Sequence, residues 1–280
     1  MANRSVGANP VNVTMRWVVL MCMAAMILVP IIAAILGGFK TTGELRVEPF
    51  SIPDTWHTEF YGEILLDSSF WKYLGNSLFI ATMTVLITII VASMAAFVFS
   101  HIKFFGSTYI MSYLLLGLMF PFAAAIIPLF LKVRDIGLLD SHWGVILPQA
   151  AFGLGFATLL FKTFFDEMPK ELFEAATLEG CSYIRFFVRF TMPLSTPIIA
   201  TVSVFVFVGS WNNYLLPLVV LNDREMFPWT LGMMQFRGEY IVEWNRILAF
   251  VSLTLAPAVA FFLVAQKYIV AGLTGGSLKG

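Results

Sequence analysis

FEAATLEGCSYIRFFVRFTMPLSTP, residues 173–197, leads a polar segment into a long apolar run, and another apolar run, 143–161, ends shortly before it. A polar stretch held between apolar runs of about 20 residues reads as a connection between membrane spans. Working outward, six such runs appear: about 17–38, 75–99, 108–131, 143–161, 192–221 and 247–267. They are continuously apolar rather than alternating at period two. Helices that satisfy their own backbone N–H and C=O groups are therefore expected, not barrel strands. The expected fold is all-α: one polytopic membrane domain, 1–280, with six transmembrane helices and a connecting loop at 162–191.

Composition agrees. Hydrophobic residues make up 59% of the chain and charged residues 12%, with a mean hydropathy of +0.85. A soluble domain carries about 25% charged residues, so membrane lipid is the expected surrounding. The formal net charge is zero, which leaves no electrostatic footprint for nucleic acid. Trp17–Gly38 is longer than the apolar core of a cleavable signal and reads as a retained first span. Cys22 and Cys181 lie in unlike settings and read as small hydrophobes, not as a disulfide or a metal pair.

Loop charge is a weak guide to orientation. With both termini in the cytoplasm, nine basic residues fall inside (Arg4, Arg16, Lys103, Lys162, Lys170, Arg185, Arg189, Lys267, Lys279) against eight outside. The loop 162–191 then lies inside, and it carries helix punctuation. Pro169 suits a first turn, Glu171 and Glu174 suit the positive end of the helix dipole, Gly180 suits a left-handed stop, and Ser182 can cap a second short helix. Leu172, Ala175, Ala176 and Glu179 fall on one face by spacing. Two roles fit such a segment: a docking helix whose alanines admit another backbone, or an amphipathic helix resting on the bilayer, which Phe186, Phe187, Arg185 and Arg189 would suit.

The pattern Glu174-Ala175-Ala176, Glu179, Gly180, Ser182, Phe187, Pro193-Leu194 and Pro197 resembles the EAA loop of ABC importer permeases. Asn76-Ser77, Trp211-Asn212-Asn213-Tyr214-Leu215-Leu216-Pro217 and the tail Gly272–Gly280 are similar to the MalG-type subunit of carbohydrate importers. Glu179 stands where that family usually has Asp, and Cys181 where it has Ala. The resemblance implies the MetI-like permease fold and a place in the inner membrane of a prokaryote. It implies three partners: a MalF-type sister permease, a pair of ABC ATPase subunits and an extracytoplasmic sugar-binding protein. It also implies import of a di- or oligosaccharide of the maltose type. Glu174, Ala175, Ala176, Glu179 and Gly180 would form the coupling helix seated on the ATPase, and ATP and Mg would belong to that partner, with no cofactor in this chain.

No Walker A run, H-E-x-x-H, metal-spaced cysteine pair or G-x-S-x-G elbow occurs, and His57, His101 and His142 all fall in connections, so no catalysis is expected. None of the charged residues, 17 basic and 17 acidic, lies well inside a predicted span. Ionisable groups in the membrane mark ion-coupled pathways. Their absence counts against the alternatives of an ion-coupled carrier or channel subunit; a scaffold subunit is a third reading. Energy would then enter through the polar loop. Gln149, Asn212 and Asn213 are the conspicuous polar groups within the spans, with Asn76 at the mouth of the second and Trp211 and Tyr214 adjacent. Gln149, Trp211, Asn212, Asn213 and Tyr214 fit either a sugar path or interhelical hydrogen bonding. Prolines 121, 128, 148, 193, 197, 217 and 257 fit hinges or packing, and the aromatic loop 222–246 fits contact with a binding protein or an interfacial belt.

Overall fold

The computed structural model describes residues 10–238 and 240–275; Arg4, Lys279 and the tail 276–280 lie outside them. Among the described residues the fold is helical, with one isolated antiparallel bridge, Arg237 to Val242. The helices are α1 (Pro10–Gly37), α2 (Thr42–Val47), α3 (Glu59–Leu66), α4 (Ser68–His101), α5 (Ser107–Leu116), α6 (Ile126–Asp135) and α7 (His142–Asp166). They continue with α8 (Lys170–Leu178), α9 (Tyr183–Phe186), α10 (Met192–Leu194), α11 (Thr196–Trp211), α12 (Leu215–Val220), α13 (Trp229–Gly232) and α14 (Trp244–Gly275). Among the described residues four helices are long and apolar enough to cross a bilayer, and two further pairs qualify as bent spans. The chain is thus an all-α polytopic membrane protein.

Both bends have a local cause. Between Ser107–Met119 and Phe122–Asp135 the axis turns by 94°. There Phe120 sits at ψ 120° and Pro121 at ψ 123°, because a proline pushes its predecessor out of the helical region and lacks the N–H that would continue the ladder. The run 108–131 is therefore two helices at a right angle. The second bend, 76° between Tyr183–Leu194 and Thr196–Trp211, falls at Ser195, flanked by Pro193 and Pro197 and preceded by a π-helical turn at Phe187–Thr191. The apolar run 192–221 then breaks again at Asn212–Tyr214 before α12.

The chain forms two compact units. Among the described residues the first comprises 10–67 with Gln235–Leu255. Within it Phe39 packs between Trp56 and Tyr61, with centroids at 5.2 and 4.4 Å. The Tyr61 hydroxyl donates to the Ile35 carbonyl at 2.8 Å, and burial pushes this phenol above its ordinary range. Lys40 is fully buried, and its Nζ donates to Glu48 C=O and Ser51 Oγ at 2.6 and 2.8 Å. Arg246 bridges Glu63 and Glu243.

The second unit comprises Ser68–Met234 and, among the described residues, 256–275. Its centre is α4 beside α7. Ile80 packs with Val145 and Ile146, while Ala92 and Ala96 pack with Ala157 and Phe161, so the two helices run in the same direction. Helix α11 runs against them: Val202 joins the Ala96 and Phe161 cluster, whereas Phe207 and Trp211 join Ala81 and Val85. The buried surfaces of α4 and α7 are rich in small residues, Ala81, Ala92, Ser93, Ala96, Ala150 and Ala157. In lipid, association depends on close packing rather than on hydrophobic exclusion, and small side chains supply it. At 34 residues, α4 is about 51 Å long, so its ends project beyond a hydrocarbon core of about 30 Å. This shared direction puts the C-termini of α4 and α7 at one end of the unit, where α8 follows.

Candidate functional site

At that end, α8 is built as a short, sharply stopped helix. Pro169 is its N-cap at φ −57°, one residue ahead of the first turn. Glu171 occupies the first turn, as the dipole favours. The helix ends in a Schellman motif: Gly180 at φ +75° lets its own N–H reach Thr177 C=O at 3.0 Å and Cys181 N–H reach Ala176 C=O at 2.9 Å. Ser182 Oγ then accepts from Arg185 N–H and opens α9. The result is a helix, a tight turn and a second short helix.

The two sides of α8 differ. Leu172, Phe173 and Ala176 turn inward onto a cluster containing Ala96, Phe97, Phe161, Phe165 and Phe186. The exposed side carries Glu171, Glu174, Ala175, Leu178 and Glu179. Ala176 and Leu172 therefore do not share an outward face with Ala175 and Glu179; Ala176 supports the helix from within. The outward apolar group is Leu178, 89% exposed, followed by Ile184 at 77%.

His101, the last residue of α4, was assigned only to a connection by its sequence. Its ring lies 4.6 Å from Phe97 and 5.0 Å from Phe173, while Phe173 meets Phe186 edge-on at 5.0 Å and 82°. Such pairs contribute about 0.5–1.5 kcal/mol each beyond area burial. They tie α8 and α9 to the end of α4. Ser100, His101, Lys103, Asp166, Lys170 and Glu174 surround a cavity of about 510 Å³ beneath α8.

The polar residues of the spans divide. Gln149 and Asn213 face a cavity of about 310 Å³ between α4, α7 and α11. Trp211 does not: it is 3% exposed, stacks on Phe207 at 5.5 Å, and its carbonyl accepts from Trp229 Nε1 at 2.8 Å. Asn212 is spent on its own helix, donating from Nδ2 to Val208 C=O at 2.9 Å. The Tyr214 hydroxyl contacts Met234 Sδ at 3.7 Å. Asn76 Nδ2 donates to Glu225 C=O and Phe227 C=O at 2.8 and 3.0 Å, pinning a loop. Of the five candidates for a path, the fold brings together Gln149 and Asn213, and it adds Thr84, Ser210 and four phenylalanines that sequence reasoning passed over. A phenylalanine in an apolar span carries no signal of its own. Cys22 is exposed on α1, and Cys181 is half-buried under α8; both thiols are free.

Comparisons with known proteins follow the same lines. Residues 85–275 match the model of the binding-protein-dependent transport system inner membrane component family. The diacetylchitobiose uptake system permease protein NgcG of Streptomyces coelicolor is 30% identical over 262 residues, covering 93% of this chain and 87% of the relative. The arabinooligosaccharides transport system permease protein AraQ of Halalkalibacterium halodurans is 30% identical, covering 90% and 91%. The trehalose/maltose transport system permease protein MalG of Thermococcus litoralis is 31% identical, covering 79% and 81%. The fold is similar to a chain in the crystal structure of a bacterial ABC transporter involved in the import of the acidic polysaccharide alginate. That match has a TM-score of 0.81 at 22% identity and covers 96% of this chain and 99% of that one. By sequence the chain belongs to the family of binding-protein-dependent transport system inner membrane components.

Proposed function

We propose that this permease subunit forms half of a heterodimeric pore through which an ATP-driven importer moves a di- or oligosaccharide, and that α8 is the element its ATPase grips. The observation that carries the reading is the construction of α8: a capped helix with a glycine stop, an exposed leucine at its tip, and an aromatic underside locked to α4. A rigid lever of this kind transmits motion from outside the bilayer into the spans. The described part of this chain holds no group of three His, Cys, Asp or Glu placed to bind a metal. ATP and Mg are assigned to the partner ATPase pair. The remaining partners are a MalF-type sister permease and a sugar-binding protein on the outer side, with this chain's termini and α8 in the cytoplasm. The sugar class comes from relatives named for diacetylchitobiose, arabinooligosaccharide and trehalose or maltose uptake or transport.

The test is a single cysteine at the tip of α8. Leu178→Cys in a chain carrying Cys22→Ser and Cys181→Ser should cross-link, in intact cells, to an ATP-hydrolysing subunit. Labelling of that cysteine by an impermeant reagent applied from outside, or no ATPase in the adduct, overturns the assignment.

A further inference from the structure

We infer that the cavity between α4, α7 and α11 is a subsite in this subunit's own wall for one uncharged sugar ring of the transported saccharide; this rests on the importer reading above. On α7, Gln149, Phe152, Gly153 and Phe156 fall at i, i+3, i+4 and i+7, one continuous stripe. On α11, Phe205 and Gly209 fall at i and i+4 with Ser210 beside Gly209, and Asn213 follows in the break just past the helix end. The space exists because two positions lack side chains. A Cβ added at Gly209 would meet nothing within 4 Å, and one at Gly153 only Thr88, at 3.6 Å. Thr84, the third contributor, lies halfway along α4, so the cavity sits at mid-depth of a long span.

Its chemistry is mixed in a specific way. Gln149 Oε1 accepts from Ser210 Oγ at 2.5 Å, yet Gln149 Nε2 and Thr84 Oγ1 are buried without any partner. Asn213 Oδ1 is engaged by Leu216 N–H at 3.2 Å, which leaves its nitrogen to donate. Orphaned polar groups in a membrane interior are costly, and an acyl chain would leave them orphaned. A ligand bearing hydroxyls satisfies both a hydroxyl and an amide nitrogen. The walls are aromatic: Phe122 meets Phe152 edge-on at 4.9 Å, and Phe156 meets Phe205 at 5.4 Å. Apolar C–H faces of a sugar ring suit such rings, as its hydroxyl edge suits the amides. No residue around the cavity is ionisable. A carboxylate or phosphate on the ligand would enter low dielectric without a counter-charge. At about 310 Å³ the volume is at the lower end for ligand pockets, which is why one ring, not a chain of them, is assigned.

The experiment uses the complete importer in proteoliposomes, with binding protein outside and ATP within. Maltotriose and cellotriose serve as neutral probes and trigalacturonate as the charged one, and sugar moved per ATP hydrolysed is the readout. Gly209→Leu fills the space, and Gln149→Leu removes the amide at similar size. Each is expected to lower sugar per ATP at least tenfold for the neutral probe that the wild type transports, with ATP hydrolysis within about twofold of wild type. An unchanged ratio in Gln149→Leu overturns the subsite even where Gly209→Leu fails to assemble. Wild-type preference for trigalacturonate overturns the neutral class. If the wild type couples no saccharide uptake to hydrolysis, the importer reading itself has failed, which is a separate result.

Discussion

Cys181 donates its backbone N–H to the carbonyl of Ala176 at 2.9 Å, and the chain closes that bond because Gly180 between them holds φ +75°. An L side chain in this left-handed region costs about 1–2 kcal/mol, while the space around Gly180 is open. The penalty of substitution is therefore conformational, not steric. Gly180→Val should loosen the stop of α8 and lower ATP-coupled uptake by about tenfold or more with the chain still inserted. Gly180→Asn, which tolerates this region, should retain most uptake. Equal uptake in the valine variant and wild type would show that the turn does not matter to coupling.

The two sides of α8 predict two different failures. Leu178 is 89% exposed and touches no core, so Leu178→Asp should leave the isolated chain's melting temperature within about a degree or two and abolish co-purification of the ATPase. Ala176 packs on the Phe97 and Phe186 cluster. Ala176→Trp overpacks that cluster and should cost about 1–3 kcal/mol, read as a lower melting temperature before any partner is added. If Leu178→Asp still recovers the ATPase at wild-type yield, the exposed side of α8 is not the docking side.

The same helix shows what was legible in the sequence. Caps and stops are local: Gly180 and Ser182 act through bonds to near neighbours and Glu171 through the dipole of its own helix, and each lies where its side chain or backbone chemistry puts it. Which side of α8 faces inward is not local. It is decided by His101, about seventy residues earlier, meeting Phe173 while Phe97 meets Phe187, and no spacing rule within nine residues contains those contacts. The apolar runs were equally legible as helices, but the right-angle turn at Pro121 was not, since a proline in a span fits a kink, a hinge or a full break alike. Trp211 shows the limit at the cavity. Asn213, just past the end of α11, lines the space, whereas Trp211, the last residue of the helix, turns into the Phe207 stack instead.

Lys40 sets a prediction for the first unit. It is fully buried with two oxygen acceptors, Glu48 C=O and Ser51 Oγ. Lys40→Met keeps the length and removes the donor, leaving the Glu48 carbonyl without that bond. The expected cost is about 1–3 kcal/mol, measured as a loss of thermal stability and faster proteolysis between Phe39 and Asp54. A variant as protease-resistant as wild type would mean that the lysine merely fills space.

Asp140 supplies the pH dependence. It holds φ +54° just before α7, and its carboxylate accepts the backbone N–H groups of Asn222 and of Asp223, the latter at 3.1 Å. Those bonds, Asn222 first and Asp223 second, hold the carboxyl below its ordinary value of 3.8, with slight burial opposing them. A folded pKa below the unfolded one means the ionised form is favoured by folding. The stabilisation is complete above about pH 3.8 and disappears as pH falls through the lower folded value. Asp140→Ala loses both acceptors and keeps the strained φ, so it should lower the melting temperature at neutral pH. Asp140→Asn tolerates the backbone and retains one neutral acceptor, so it should fall between. In detergent melts the gap between wild type and Asp140→Asn should be constant from pH 7 to about pH 5 and narrow below pH 3.8. A gap that persists unchanged to the lowest pH would show that the carboxylate's charge contributes nothing to holding the 221–223 loop against the start of α7.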